Sequence, residues 1–394
     1  MKNKRAVKRF LIFEGISQYG ALHVMMDEFE KYLKNSTEME IIRVNAEMDE
    51  IIPEFWKEDF DYVFVVQAIW FDKLIDNKSI YEYMNARVLG WIVDPPYLHT
   101  DRVNNSGNNM ILACVDNGDT LNIKNIYKKK AETLHLFGIE YNHTKKIKDR
   151  TIEVLVPGSY RDVREEIEIQ LEKLPDILKI LIKSVISKMV NNCNQTVADA
   201  MRTVYKENYN LEISDEQLHE FMTDCGGVID KYYRNYLREK CVLSLIDNDI
   251  KVTVCGMGWD KFKKKNNIIG CFEILNSNIS YLDVLKVISN SKVVLNVSPF
   301  FIEGIHDRVS NAMLNGAVSL SDRSKYLIDN FKDKREILYY SWNKLDSSIR
   351  NIKKYLLDDD KLQEIADNAY IKAKEKLTVK EFSDNIRNIF EQRF

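Results

Sequence analysis

The chain has 394 residues, too many for one compact core, and this length suits two or three domains. Its 45% hydrophobic and 30% charged residues are typical of a globular protein and exclude a disordered or fibrous chain. The formal net charge of -3 gives no general attraction to nucleic acid or to an anionic membrane, so we expect no nucleic-acid partner.

The first apolar run follows a basic opening, MKNKRAVKRFLIFEG, and is too short for a signal peptide, so we interpret it as the first strand. No window approaches the length of a membrane span. The six cysteines show neither a CxxC pair nor metal-ligand spacing. This predicts reduced thiols, a cytoplasmic location and metal-independent chemistry.

Residues 1–150 alternate short apolar runs with amphipathic stretches, which predicts a Rossmann-like domain. Several runs are apolar throughout, as is typical of parallel strands covered on both faces. The predicted strands are 10–13, 40–44, 62–66, 87–93 and 111–115. Between the first two, Met25, Phe29, Tyr32 and Leu33 fall on one stripe of a predicted helix.

A second series of strands, separated by helical patterns, predicts a second Rossmann-like domain over residues 151–380. Its predicted strands are 152–156, 251–256, 271–275, 292–297, 317–321 and 336–340. Residues 381–394 are predicted to form a helix that packs back on the first domain. The fold class is therefore α/β, with two parallel sheets that face a cleft and bind ligands beyond the carboxyl ends of their strands.

Residues 162–248 are predicted to form a helical insertion in the second domain, because an ordinary crossover needs far fewer residues. Ser214 and Gln217 predict a helix start, and Cys225-Gly226-Gly227 predicts a break. This insertion has three alternative interpretations. It recognises the acceptor, it mediates self-association, or it is a solvent-exposed addition to the fold without a role of its own.

The segment Ser298–Gly316 follows the predicted strand 292–297, so it lies where parallel sheets bind ligands. Pro299 helps to end the strand, and Gly304 lets the backbone approach a ligand closely. A helix is predicted to start near Asp307, whose charge suits the positive end of a helix.

On this helix, Arg308, Asn311 and Asn315 fall opposite the predicted packing stripe. A pyrophosphate could therefore meet free helix N–H groups and the Arg308 guanidinium together. Glu303 and Asn311 could bond sugar hydroxyls. The alternative is a solvated helix face with Asp307 as a simple N-cap.

The segment 291–327, SKVVLNVSPFFIEGIHDRVSNAMLNGAVSLSDRSKYL, resembles the GT-B glycosyltransferases of the spore-maturation-protein-like (CgeB-like) group. Weaker similarities at 15–23, 91–99, 154–160 and 254–260 extend the resemblance over most of the chain except the insertion. It implies two Rossmann-like domains of the GT-B class. It also implies transfer of a sugar from a nucleotide-diphosphate donor, UDP-linked by family precedent, with no further cofactor.

Many related enzymes carry two glutamates separated by seven residues, which contact the donor sugar and the ribose. Glu303 takes the first place, where we expect a catalytic role, and Asn311 takes the second. An amide can bond a ribose diol without charge assistance, so the nucleotide and its affinity are left open. His306, Asp307 and Arg308 match the family triplet, for which contacts to the diphosphate or sugar are implied.

Two further loops of the second half are predicted to contribute to the donor site. After its first strand, Gly158 permits close approach, Ser159 offers a hydroxyl to phosphate and Tyr160 offers a ring for stacking. Gly256 and Trp259 lie in a loop after the next strand that resembles a nucleotide loop, although turns also use glycine frequently.

The first half is predicted to hold the acceptor. Gly15, Gln18 and His23 follow its first strand, and Asp94 and His99 follow its fourth. Asp94 or His99 is the candidate base for the acceptor hydroxyl. The alternative is that Asp94 caps a turn and His99 is a surface residue, and an enzyme that retains configuration needs no separate base.

The predicted function is sugar transfer, of the hexosyltransferase type, to a protein, glycan or small-molecule acceptor. Two alternatives stay open. One is a nucleotide-sugar epimerase of the same fold, and the other is a non-catalytic binding or interaction protein in which Asn311 marks the loss of activity.

Overall fold

The computed structural model describes residues 7–15, 17, 20–47, 55–193 and 195–394. The chain forms two compact units. One contains Met1–Ile139 with Leu377–Phe394, and the other contains Glu140–Lys376.

The division after residue 139 lies earlier in the chain than the predicted boundary at 150, because the segment between them is bonded to the second unit. The backbone N–H groups of Tyr141 and Asn142 donate to Asn315 Oδ1 at 2.7 and 3.0 Å. The buried Arg150 guanidinium donates to the carbonyls of Ser291 and Asn315 at 2.9 and 3.0 Å. These bonds attach the segment to the second sheet before its first strand begins.

The first unit is built on a parallel sheet with a small antiparallel hairpin beside it. Its strands are β1 (Arg9–Glu14), β2 (Glu40–Asn45), β3 (Tyr62–Val66), β4 (Leu74–Ile75), β5 (Lys78–Ser79), β6 (Arg87–Ile92), β7 (Met110–Cys114) and β8 (Ala131–Thr133). The sheet order is β2-β1-β3-β6-β7-β8, and β4 pairs with β5. Every residue of β7 is buried, as the uninterrupted apolar run predicts for a strand covered on both faces.

Within the described part of this unit, three helices and three short 3-10 turns connect the strands. The helices are α1 (Ala21–Ser36), α2 (Thr100–Asn104) and α3 (Asn117–Asn125), and the 3-10 turns are Phe55–Lys57, Ile80–Tyr83 and Pro96–His99. Met25, Phe29 and Leu33 of α1 are buried, which confirms most of the predicted stripe.

The second unit contains a six-stranded parallel sheet. Its strands are β9 (Ile152–Pro157), β10 (Val252–Cys255), β11 (Phe272–Ile274), β12 (Ser291–Asn296), β13 (Val318–Ser321) and β14 (Leu338–Tyr339). The order is β11-β10-β9-β12-β13-β14, so the direction of winding reverses between β9 and β12. Parallel α/β sheets bind ligands beyond the carboxyl ends of the strands at such a reversal.

The described residues of this unit form ten helices. They are α4 (Arg164–Glu172), α5 (Asp176–Asn191), α6 (Val197–Tyr209), α7 (Asp215–Asp247), α8 (Trp259–Lys265), α9 (Tyr281–Ile288), α10 (Asp307–Leu314), α11 (Lys325–Asn330), α12 (Leu345–Leu356) and α13 (Asp359–Lys376), with 3-10 turns at Ile147–Asp149 and Trp342–Lys344. The helices α4 to α7 form the predicted insertion.

The predicted start of α7 is confirmed and the predicted break within it is wrong. Ser214 Oγ accepts from Gln217 N, and the Gln217 side chain accepts from Ser214 N, which is a complete capping box. The helix then continues through Gly226 and Gly227. Its buried stripe passes across them to Tyr233, and this packing outweighs the cost of about 1 kcal/mol for each helical glycine.

The last helix, α14 (Val379–Gln392), belongs to the first unit. The Phe382 ring packs against Phe29, Phe64, Trp91 and Phe137, with ring centroids 4.7 to 5.9 Å apart. The aromatic core of the first unit is therefore completed by residues that follow the whole second unit in the chain. Within the described ranges, no helix combines the length and apolar character needed to cross a membrane.

We predict that Phe382→Ala lowers the free energy of unfolding of the first unit by about 3–5 kcal/mol, because a buried ring leaves a cavity among other rings. Asn388→Ala, on the exposed face of the same helix, should change it by less than about 0.5 kcal/mol. Urea unfolding followed by tryptophan fluorescence measures both, and equal midpoints for the two variants would contradict the packing described for α14.

Candidate active site

The candidate donor site lies where β9 and β12 end. Asn296, the last residue of β12, is 2% exposed and connects several groups there. Its Nδ2 donates to Ser321 Oγ at 2.9 Å, and its Oδ1 accepts from Ser298 Oγ at 2.6 Å and from Arg308 Nη1 at 3.2 Å. One buried amide thereby joins the ends of two strands to the Arg308 guanidinium.

The loop that carries Glu303 is held on both sides of that residue. The Ile302 carbonyl accepts from Lys325 N at 2.8 Å, and the Gly304 carbonyl accepts from Ser324 Oγ at 2.6 Å. Both partners lie at the start of α11. The Glu303 side chain is half-buried in this tethered loop, at the position where the sequence predicts contact with the donor sugar.

The helix α10 begins at Asp307 as predicted, but its N-cap is His306. His306 Nδ1 accepts from Arg308 N at 3.2 Å and lies 2.5 Å from Asp307 Oδ1, and the His306 carbonyl accepts from Val309 N. These N–H groups are therefore already bonded, which corrects the expectation that they are free for a pyrophosphate. The Arg308 guanidinium is left as the principal anion-binding group of this helix end.

The ionisation of the His306-Asp307-Arg308 triplet follows from its partly buried environment. Burial lowers the pKa of His306 and the Arg308 cation lowers it further, whereas the Asp307 carboxylate beside it acts in the opposite direction. Burial alone would raise the pKa of Asp307, but His306, Arg308 and the Tyr281 hydroxyl hold it well below its usual range. Burial also lowers the pKa of Arg308, which marks it as a partly desolvated cation.

Asn311 does not face a ligand site. It is 1% exposed, and its Nδ2 donates to the Tyr281 hydroxyl at 2.7 Å and to Asp307 Oδ2 at 3.3 Å. The Tyr281 hydroxyl in turn donates to Asp307 Oδ2 at 2.8 Å. Asn315 is also buried, with its amide bonded to backbone groups. The face of α10 predicted to meet a ribose is thus covered by protein.

Gly158 follows β9 and adjoins Arg308 across the strand-order reversal. It has φ 123°, a conformation that favours glycine, and a Cβ placed there would lie 3.7 Å from Arg308 Nη2. The structure thus brings together the predicted donor residues Gly158 and Arg308.

The remaining predicted donor-loop residues pack against one another. Ser159 Oγ accepts from Met257 N at 3.1 Å. Tyr160 is 3% exposed with its hydroxyl bonded to Glu239 at 2.8 Å, and Trp259 is 0% exposed with its Nε1 bonded to the Gly158 carbonyl at 2.8 Å. These rings are therefore core residues, which corrects the prediction that Tyr160 stacks on a ligand and that Trp259 lines the nucleotide loop.

Gly256 and Gly258 permit this close packing of two loops. Gly256 has φ 121°, and a Cβ there would lie 2.7 Å from the Gly158 carbonyl carbon. Gly258 has φ 86°, and a Cβ there would lie 2.1 Å from the Tyr160 carbonyl oxygen. Their role is loop-to-loop contact, which is the alternative that the sequence left open for such glycines.

A cavity of about 390 Å³ lies beyond the ends of β12, β13 and β14, and its lining includes Phe301, Ile302, Asp322 and Trp342. Its size is within the range of small-ligand sites. Asp322 is 8% exposed, and burial raises its pKa to about 6. The cavity adjoins the loop that carries Glu303, because that loop supplies Phe301 and Ile302.

The sequence missed a set of polar residues on α7 that hold the donor loops, namely Arg234, Asn235, Arg238 and Glu239. Arg238 donates to the Ser159 carbonyl, and Asn235 Oδ1 accepts from Arg161 N at 3.1 Å. Their spacing places them near one another on the helix, beside a buried stripe through Tyr233 and Leu237. That spacing was the available signal, but nothing in the sequence states which loops the helix meets.

In the first unit, Asp94 and His99 are brought together beyond β6. Asp94 Oδ2 accepts from Gln67 Nε2 at 2.6 Å and lies 3.8 Å from His99 Nε2. Gln67 also accepts from Val93 N at 3.1 Å, and it has φ 56°. The sequence did not identify Gln67, which orients Asp94 from a left-handed backbone conformation of the kind that often occurs at functional sites.

Of the residues predicted after β1, Gln18 lies outside the described residues, and Gly15 and His23 are described. A Cβ at Gly15 would lie 2.7 Å from the Ile69 side chain, so this glycine permits close packing. His23 Nδ1 lies 3.0 Å from Glu14 Oε1, and Arg43 Nε donates to the same oxygen at 2.8 Å. Burial raises the pKa of Glu14, although Arg43 and His23 oppose this.

Comparison with known proteins agrees with this architecture. Residues 238–388, less than half of the chain, match the family model described as glycosyl transferase-like. A comparison with curated proteins gives no match.

Several solved structures are similar in fold. The alpha-glucosyltransferase AGT in complex with UDP and a 13-mer DNA is 9% identical with a TM-score of 0.55, and covers 98% of this chain and 100% of its own. HepE from Anabaena in complex with UDP-glucose is 9% identical with a TM-score of 0.52, and the match covers 97% of this chain and 99% of HepE. A TarM structure from S. aureus is 14% identical with a TM-score of 0.47, and this chain spans only 55% of its length.

The two parallel sheets and the likeness to the AGT and HepE structures show that the fold is the GT-B class predicted from the sequence. The family match falls on the second unit and continues into α14, and it includes β12, the Glu303 loop and α10.

We predict that Gly258→Ala destabilises the second unit by about 1–3 kcal/mol, because an added methyl at positive φ would collide with the Tyr160 carbonyl. Gly270→Ala is the matched control, since a Cβ there meets nothing within 4 Å, and we expect a change below about 0.5 kcal/mol. Urea unfolding followed by circular dichroism measures the difference. Identical curves would refute the described loop contact.

We also predict that Tyr281→Phe destabilises the second unit by about 1–3 kcal/mol, because partly buried Asp307 and buried Asn311 each lose a hydrogen-bond partner. Tyr83→Phe removes a hydroxyl bonded to the Ile75 carbonyl on a ring that is 47% exposed, and should change stability by less than about 0.5 kcal/mol. If thermal unfolding midpoints respond equally to both changes, the Tyr281 network is not structural.

Proposed function

We propose that this protein is a glycosyltransferase that transfers a sugar from a nucleotide-diphosphate donor bound by the second unit. The observation that carries this proposal is that Arg308 adjoins Gly158 at the strand-order reversal of a GT-B fold. The tethered loop that carries Glu303 leads directly into the helix of Arg308. Such a reversal is the ligand-binding position of parallel α/β sheets.

The chemistry follows from the charge that develops on the leaving group. Cleavage of the bond between the sugar and the diphosphate leaves negative charge on the phosphate oxygens. Arg308 can stabilise this charge through its guanidinium fork, which bonds phosphate more strongly because it is partly desolvated. Its bonds to Asn296 and Val297 fix one nitrogen before the substrate arrives.

Glu303 is proposed to hold the donor sugar by accepting from its hydroxyl groups. The main-chain bonds at Ile302 and Gly304 fix the loop on both sides of Glu303 and so position its carboxylate. Asn311 has a structural role instead, so recognition of the ribose is assigned to residues other than this amide.

UDP is the proposed nucleotide, and the affiliation with the CgeB-like group is part of the same proposal. The AGT and HepE structures contain UDP or UDP-glucose, which supports a UDP-linked donor here. The AGT complexes also contain DNA, but the net charge of -3 gives this chain no general attraction to nucleic acid. Metal independence, the absence of a further cofactor, cytoplasmic location and self-association of the insertion stay predictions.

Activation of the acceptor is assigned to the first unit. Asp94, oriented by Gln67, is the candidate base. His99 Nε2 lies 3.8 Å from Asp94 Oδ2, so a small movement would let the imidazole accept the proton that Asp94 removes. His23 is the second candidate near an acceptor, and its imidazole is held by Glu14.

The test is a screen of nucleotide sugars with wild type, Glu303→Ala and Glu303→Gln. Wild type is expected to release UDP from one UDP-sugar and to gain thermal stability with UDP, because a ligand of the native state raises the unfolding temperature. Both variants should lose transfer by about 100-fold or more, as is typical when a group that acts in the transition state is removed. Glu364→Ala, an exposed carboxylate on α13, is the control.

Three outcomes would contradict the assignment. Unchanged transfer by Glu303→Ala would remove Glu303 from the mechanism. Conversion of the donor to another sugar without an acceptor would identify an epimerase. Absence of any thermal shift with UDP or UDP-sugars would favour a protein without this activity.

A further inference from the structure

The second half of α7 crosses both loops of the candidate donor site. On one side, Arg238 donates to the Ser159 carbonyl, and Glu239 accepts from the Tyr160 hydroxyl at 2.8 Å. On the other side, Arg234 lies over the Phe300 ring, with 5.7 Å between the guanidinium carbon and the ring centroid. The insertion is therefore packed against the donor loops and is not a solvated elaboration.

The Arg234 guanidinium is held in place from within its own helix. Its Nη2 donates to Asp230 Oδ1 at 2.8 Å, and Asp230 is 7% exposed. The Arg234 side chain itself is about one-third exposed, so part of it can meet a ligand. Arg308 is likewise anchored through one nitrogen, which donates to Asn296 Oδ1 and to the Val297 carbonyl.

Arg234 is linked to the His306-Asp307-Arg308 triplet through two neighbouring rings of the loop after β12. Arg234 lies over Phe300, and the Phe301 ring packs against His306 with ring centroids 5.0 Å apart. Besides burial, the Arg234 cation lowers the pKa of both His306 and Arg308. Two guanidinium groups that repel each other in a partly desolvated corner favour a bound anion between them. A diphosphate offers one phosphate to each group, which a monophosphate does not.

We propose that Arg234, contributed by the helical insertion, binds the diphosphate of the nucleotide together with Arg308. This inference rests on the proposed function and deepens it, since it makes the insertion part of the donor site. Arg238 and Glu239 then act as positioning residues, because they hold the Ser159 and Tyr160 loop against the same helix.

The assignment predicts a specific dependence on the second phosphate. Loss of one charge-assisted contact should weaken UDP binding by about 10- to 100-fold. The affinity for UMP, which has one phosphate, should fall much less, and the affinity for uridine should not change. A residue with only a structural role would weaken all three ligands together.

The experiment is isothermal titration of UDP, UMP and uridine into wild type, Arg234→Ala, Arg234→Lys and Lys231→Ala. Arg234→Lys keeps the positive charge but lacks the planar guanidinium. If the alanine variant does not fold, the lysine variant is compared with wild type instead. Lys231, one turn earlier on α7, pairs with Glu166 and is the matched control. We expect selective loss of UDP affinity in Arg234→Ala, a smaller loss in Arg234→Lys, and wild-type values in Lys231→Ala.

Two results would overturn this inference while leaving the proposed function intact. One is wild-type UDP affinity in Arg234→Ala, and the other is an equal loss of UDP, UMP and uridine. If wild type binds no nucleotide at all, the proposed function itself fails and this inference fails with it.

Discussion

The second unit depends on how a single buried amide is satisfied at the end of β12. The Asn296 side-chain amide bonds Ser321 on the neighbouring strand, Ser298 in the following loop and Arg308 on α10. Its main-chain carbonyl accepts from the Tyr340 hydroxyl at 2.9 Å. A buried amide left without partners is costly, so these bonds keep four segments of the chain in one arrangement. The position of the Arg308 cation is one consequence, and the path of the Glu303 loop is another.

The same arrangement shows how buried polar groups can prepare a binding site without taking part in it. Tyr281, Asp307 and Asn311 satisfy one another beneath the start of α10. Together with His306 and Arg308, the Tyr281 hydroxyl keeps the pKa of Asp307 well below its usual range, so the carboxylate is ionised and bonded by protein donors. The Arg308 guanidinium follows it directly in the chain but is fixed by Asn296 at the end of β12.

Much of the fold could be predicted from the sequence, because parallel strands covered on both faces leave uninterrupted apolar runs. Strand order then placed the Glu303 loop, since the loop after a buried strand must lie at the ligand-binding edge. Helical periodicity identified one packed face of α10, but it could not reveal that Tyr281 and the segment 140–150 cover the opposite face. For this reason the sequence assigned Asn311 to a ligand.

The other failures have the same origin in tertiary contacts. A tyrosine and a tryptophan that follow strands give the same sequence pattern whether their rings stack on a ligand or on each other. In this structure Tyr160 and Trp259 pack together, with ring centroids 5.6 Å apart. The glycine pair in α7 predicted a break because glycine has a low helix propensity. The buried stripe that runs across the pair keeps the helix continuous. Arg234 was missed because α7 is distant in sequence from both loops that it contacts.

The return of α14 to the first unit has a consequence for the order of events during synthesis. The second unit is continuous between Glu140 and Lys376, so it can fold once that stretch has left the ribosome. Phe382 and Phe390, which pack against the sheet of the first unit, are synthesised only after the whole second unit. We therefore expect the nascent first sheet to expose an aromatic surface while the second unit is being made.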